Sequence, residues 1–73
     1  MPNERPLDVL ERAKGKRVLV KIKSGEQFTG ILRAADLHIN LWLDDAELIT
    51  EDSRKRMGTI LIRGDTVVYV APE

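Results

Sequence analysis

Two short polar clusters in this 73-residue sequence combine residue types that could do chemistry. Asp36-x-His38-x-Asn40 stands at a turn leading into an alternating segment, and Arg63-Gly64-Asp65 separates two apolar runs. Asp36 beside His38 could orient an imidazole as a general base, but catalysis also needs a nucleophile or a metal in reach. No Ser or Cys is placed near the pair, and a chain with zero Cys and one His offers neither a zinc–thiolate site nor a disulfide. No catalytic residue, metal site or cofactor is therefore expected. Asp36 has a simpler use, since a carboxylate at a turn caps backbone N–H groups. A third feature is the basic stretch Arg12, Lys14, Lys16, Arg17, Lys21 and Lys23, which contains no acid. It serves either as a solvated face or as a surface that steers phosphates.

The elements that must position these groups follow from periodicity. Pro6, Val9, Leu10 and Ala13 recur at helical spacing and predict a short helix over 6–14, with Pro6 at its start and Gly15 as its stop. From Arg17 the period changes to two: Val18, Val20 and Ile22 alternate with polar neighbours as in a half-buried strand. Ser24-Gly25 signals a turn, and 26–34 reads as a second strand with Phe28 and Leu32 on one face. Gly30 between them marks a bend or a close backbone approach. A third strand is expected from His38 to Leu43, continuing in part to Ile49, with His38, Asn40 and Trp42 on one side. The charged stretch 44–56 otherwise reads as a solvated loop. Strands over 57–63 and 66–71, joined at Gly64-Asp65 as a two-residue hairpin turn, complete the series. One helix and five antiparallel strands with short turns predict a small, strongly bent barrel of the SH3-like or OB-like kind.

Composition narrows the function. Lys and Arg number 12 and Asp and Glu number 12, so the net charge is +0 and binding by bulk positive charge is excluded. The longest apolar run, 67–71, is far short of the roughly 20 residues that span a bilayer. No apolar leader is visible at Met1–Arg5, and a cytoplasmic location with no membrane partner is expected. A domain near 70 residues rarely gains more than ~3–5 kcal/mol from its core, so oligomerisation is the remaining support. Ile60-Leu61-Ile62 and Val67-Val68-Tyr69-Val70 do not alternate. Either both fill one core, or they are edge strands that pair with other copies.

These residues resemble a known family. Lys23-Ser24-Gly25-Glu26-Gln27-Phe28-Thr29-Gly30-Ile31-Leu32 followed by Asp36-Leu37-His38-Ile39-Asn40-Leu41-Trp42-Leu43 resembles the first Sm motif, placed about 17–49. Met57-Gly58-Thr59-Ile60-Leu61-Ile62-Arg63-Gly64-Asp65 resembles the second, placed about 57–71. The chain is similar to Sm-like (LSm) proteins of the archaeal type over nearly its whole length, 1–73, as one domain.

The resemblance implies a mainly β fold: an N-terminal helix on a bent five-stranded antiparallel sheet closing a small SH3-like open barrel. It implies a homo-oligomeric ring, usually a heptamer, in which the fourth strand of one subunit pairs with the fifth of its neighbour. It implies binding of single-stranded, uridine-rich RNA near the pore, in a non-catalytic scaffold or chaperone for RNA processing that also meets RNA-processing proteins. His38, Asn40 and Arg63 match the family's base-contacting positions, Gly64 and Asp65 the loop that completes the pocket, and Asp36 the residue that orients the asparagine. The chemistry suits the task. An imidazole and a guanidinium can sandwich a base, and a carboxamide can pair with the O4 and N3–H edge of uracil. Trp42 departs from the smaller aliphatic residue common there, and packing or interface burial is expected for it rather than base stacking. The alternative function is a protein–protein assembly module in which RNA binding is secondary.

Overall fold

The computed structural model of the chain describes residues 5–73; residues 1–4, on which most of the leader expectation rests, lie outside that part. The helix α1 runs Pro6–Arg12 with proline in its first turn, where the missing N–H costs nothing. The Asp8 carboxylate accepts the Arg5 backbone N–H at 2.9 Å and also holds the Arg5 guanidinium, placing negative charge at the helix start. The helix stops short of the expected residue 14 because the sheet captures the chain: the Gly15 N–H donates to the Leu32 carbonyl at 2.8 Å. Leu10 and Ala13 are the helix-side residues that enter the core.

Five strands follow: β1 Arg17–Ile22, β2 Gln27–Ala35, β3 Leu41–Ile49, β4 Arg54–Ile62 and β5 Val67–Pro72. They form one bent sheet in the order β4-β3-β2-β1-β5, with every neighbouring pair antiparallel. One face carries Val18, Val20, Phe28, Leu32, Leu41, Leu43, Ala46 and Ile62, which with Leu10 and Ala13 make the core. Gly30 sits where β2 crosses closest to β3: a Cβ there would lie 3.1 Å from both the Asp44 carbonyl and the Leu43 Cβ. The register between β2 and β3 shifts at this point, between Thr29 and Ile31, and Asp45 takes a φ of +50°. The bend expected at Gly30 is therefore a close approach facing a bulge, which increases local twist.

Three expectations need correction. The charged stretch 44–56 is not a loop: β3 continues to Ile49 and β4 begins at Arg54, so the loop is only residues 50–53. The backbone of a projecting ribbon is satisfied by its own ladder, and its charged side chains simply face water; the first six residues of β4 are all exposed. Gly64-Asp65 is not a hairpin turn. Residues Gly64–Thr66 form a single 3₁₀ turn, and β5 leaves it to pair with β1 rather than with β4. Finally, His38, Ile39 and Asn40 precede β3 instead of belonging to it, because the Asp36 side chain takes up backbone donors that a ladder would use. As a result β4 and β5 are the two edges of the sheet, each paired on one side only. Leu61 on β4 and Val68 on β5 are 78% and 57% exposed, so the edges carry apolar side chains.

Candidate nucleic-acid interface

The loop between β2 and β3 is built on one carboxylate. Asp36 Oδ1 accepts the backbone N–H of His38 at 2.9 Å and of Asn40 at 3.1 Å. Its Oδ2 accepts the Asn40 side-chain Nδ2 at 3.0 Å. The Ile39 N–H returns to the Asp36 carbonyl at 3.0 Å. This winding forces Ile39 to a φ of +59°, a genuine strain for a β-branched residue. The Ile39 side chain, packed against the core, offsets it. Three hydrogen bonds to the ionised form hold the Asp36 carboxyl below its usual range: the Asn40 side chain first, its backbone N–H second and the His38 backbone N–H after them.

The Asn40 amide is fixed from both ends. Its Oδ1 accepts the Gly64 backbone N–H at 2.8 Å, while its Nδ2 donates to Asp36. A carboxylate cannot donate and an N–H cannot accept, so the amide can face only one way. One N–H and one oxygen lone pair of Asn40 are left over. Gly64 makes this contact possible, because a Cβ on it would overlap the His38 carbonyl. The 3₁₀ turn is held by Thr66, whose N–H and hydroxyl both donate to the Arg63 carbonyl, at 3.0 and 2.7 Å. Arg63 itself is 81% exposed at its side chain and pairs with Asp65 at 2.9 Å.

The five residues read from sequence as binding groups, His38, Asn40, Arg63, Gly64 and Asp65, line one open depression of about 430 Å³. Asp36 supports it from the adjoining groove. Sequence reasoning missed Ile39 and Thr66 as the residues that shape the two loops. A Thr three residues beyond the carbonyl it caps was a usable signal; the left-handed Ile39 had none. Within one chain Trp42 is 44% exposed, and its Nε1 donates to Asp44 Oδ1 at 3.1 Å. The basic stretch is partly neutralised, by Glu11 against Lys14 at 3.2 Å and Asp45 against Arg17 at 2.8 Å. Among the described residues no three His, Asp or Glu side chains gather as metal ligands, and no helix is long and apolar enough to cross a membrane.

Known proteins share this fold and much of this sequence. The family model described as the LSM domain matches residues 8–72. An Sm-like protein of Archaeoglobus fulgidus is 48% identical over 93% of this chain and 90% of its own. A solved Sm protein of Pyrococcus abyssi, in complex with a uridine heptamer, superposes with a TM-score of 0.90 at 48% identity, covering 96% of this chain and all 100% of that one. A heptameric archaeal Sm protein superposes with a TM-score of 0.87 at 40% identity, covering 89% of this chain and 96% of that one. On this match of sequence and fold, the chain belongs to the LSM-domain family of Sm-like proteins.

Proposed function

We propose that the chain assembles into a closed homo-oligomeric ring and binds single-stranded, uridine-rich RNA around the pore, as a non-catalytic scaffold or chaperone of RNA metabolism. Seven subunits is the number carried by the heptameric archaeal relative. The unpaired β4 and β5 edges are different surfaces, so joining one to the other is a heterologous contact that closes by rotation. The uridine heptamer bound by the Pyrococcus abyssi relative names the ligand class.

One observation carries the base-reading step: the Asn40 amide, gripped by Asp36 and Gly64, presents one donor and one acceptor in a fixed order. Uracil offers O4 to the N–H and N3–H to the oxygen. Cytosine offers the reverse order, a donor at N4 and an acceptor at N3, and must turn over to be read. His38 and Arg63, on the two loops that flank Asn40, supply the flat groups that stack on the base, worth about 1–3 kcal/mol per base. Asp65 restrains the Arg63 guanidinium. Repetition of the pocket around a ring raises avidity without excess charge, which suits a net charge of +0.

The test is oligouridine affinity of Asn40→Ala alongside its mass in solution. Affinity is expected to fall about tenfold or more, the scale of one bidentate base contact, while the oligomer persists. Unchanged affinity would remove Asn40 from the site.

A further inference from the structure

We infer that Trp42 and Leu61 of one subunit fill the apolar hollow between α1 and β5 of the next, and that this contact completes the uracil pocket, which a lone subunit holds only in part. This rests on the ring and the RNA-binding reading above.

Trp42 on β3 and Leu61 on β4 are partners across the strand pair, so their side chains stand together on one face of the sheet. They are 44% and 78% exposed. Together they wall a groove that ends at Asn40 and Arg63 of the RNA loops. A second hollow, of about 440 Å³, lies between α1 and β5. The exposed side chains of Val9, Val68 and Tyr69 line it, and so do Ile39 and Gly64 of the RNA loops. Each subunit thus carries an apolar projection beside its β4 edge and an apolar recess beside its β5 edge, with the uracil depression sharing residues with both. Joining β4 to β5 brings the projection of one copy to the recess of the next, at every contact of a closed ring.

The two surfaces are prepared for a dry contact. Trp42 Nε1 already donates to Asp44 Oδ1 at 3.1 Å, and the Thr59 hydroxyl donates to the same oxygen at 2.8 Å. On the recess side the Tyr69 hydroxyl accepts Gln27 Nε2 at 2.8 Å. Burying either ring therefore leaves no polar group unmet. The recess matters to RNA because of what lines it. Ile39, between His38 and Asn40, carries the φ of +59° and is only half-buried in one chain. The Gly64 N–H holds Asn40 Oδ1. An apolar side chain from the neighbour, seated against Ile39 and Gly64, adds packing to the strained conformation that sets the pocket. Assembly and binding are then linked reciprocally: the factor by which the ring tightens the nucleotide is the factor by which the nucleotide tightens the ring.

Trp42 is the chain's one tryptophan, so its emission reports this contact. The probe is uridine monophosphate, which occupies one pocket and cannot bridge subunits. The variants are Val9→Lys, in the recess, and Leu61→Lys, on the projection; an added cation would by charge alone favour the nucleotide. Both are expected to sediment as smaller species with the wild-type circular dichroism spectrum. Val9→Lys should shift Trp42 emission to the red, although residues 9 and 42 line separate hollows of one chain. Both should bind the monophosphate about tenfold more weakly, within the usual range for coupled sites. The monophosphate should in turn raise the urea concentration at which the wild-type ring dissociates. Wild-type emission in Val9→Lys would overturn the seating of Trp42. Wild-type monophosphate affinity in the dissociated variants would show the pocket complete in one chain and overturn the coupling. The uracil reading is judged apart from this, by Asn40→Ala in the intact ring, and the ring by the mass of the wild type.

Discussion

At the scale of single residues, the site depends on a chain of short contacts in which each group has one assigned neighbour. Gly64 is the most constrained, because any Cβ meets the His38 backbone, which cannot yield as a side chain could. Gly64→Ala is expected to push the two loops apart, orphan the Asn40 Oδ1 contact and lower oligouridine affinity by about tenfold or more, a loss of ~1–3 kcal/mol. Isothermal titration checks it, and a wild-type value would show that the loops are softer than their packing suggests. Asp36 adds a pH dependence of known sign. Its carboxyl is held below the ordinary value of 3.8, so ionised Asp36 stabilises the loop above that pH. The contribution falls away as pH drops from there through the lowered value, when the protonated group loses acceptor capacity for Asn40. Oligouridine affinity at constant salt should thus be flat with respect to Asp36 above pH 4 and decline in more acid solution. A decline in Asp36→Asn of the same size and midpoint would assign it elsewhere.

At the scale of elements, the bend of β2 against β3 sets where the loop begins. Gly30→Ala places a methyl within 3.1–3.2 Å of Asp44, Leu43 and Ala46, and overpacking of this kind costs ~1–3 kcal/mol. A urea unfolding midpoint lowered accordingly is the expected result, and an unchanged midpoint would mean that the bulge relaxes freely. The elements also show what the sequence could and could not disclose. The alternation Val18, Val20, Ile22 made β1 plain, and Asp36 at a turn announced a cap. The far half of β3 was harder because the bulge at Asp45 puts the buried positions Leu43 and Ala46 three apart, breaking the period of two. Gly64-Asp65 has hairpin chemistry, yet whether two strands pair depends on the rest of the sheet. β5 finds β1, and Val20 meets Val70 across a separation no local pattern reveals. The Gly64–Asn40 bond spans 24 residues and was invisible for the same reason. Family resemblance, not periodicity, placed both ends of that bond in one pocket.

At the scale of the whole molecule, the sheet ends in two unlike apolar edges, and the ring is the account of what covers them. Leu61 is 78% exposed, so Leu61→Glu leaves the isolated fold intact but places a carboxylate in the proposed contact. Sedimentation is expected to show smaller species with an unchanged far-ultraviolet circular dichroism spectrum; an intact oligomer would move the contact off this edge. A protein-assembly role with RNA secondary predicts something different: binding that survives Asn40→Ala and fails when residues 51–56 are altered. The most direct measurement is a native mass spectrum of wild type and Asn40→Ala, each with and without a heptauridine. The predicted result is one closed oligomer in both proteins, seven subunits in mass, with the oligonucleotide retained by the wild type and largely lost by the variant. A monomer in dilute solution, or equal retention by both proteins, would contradict the account.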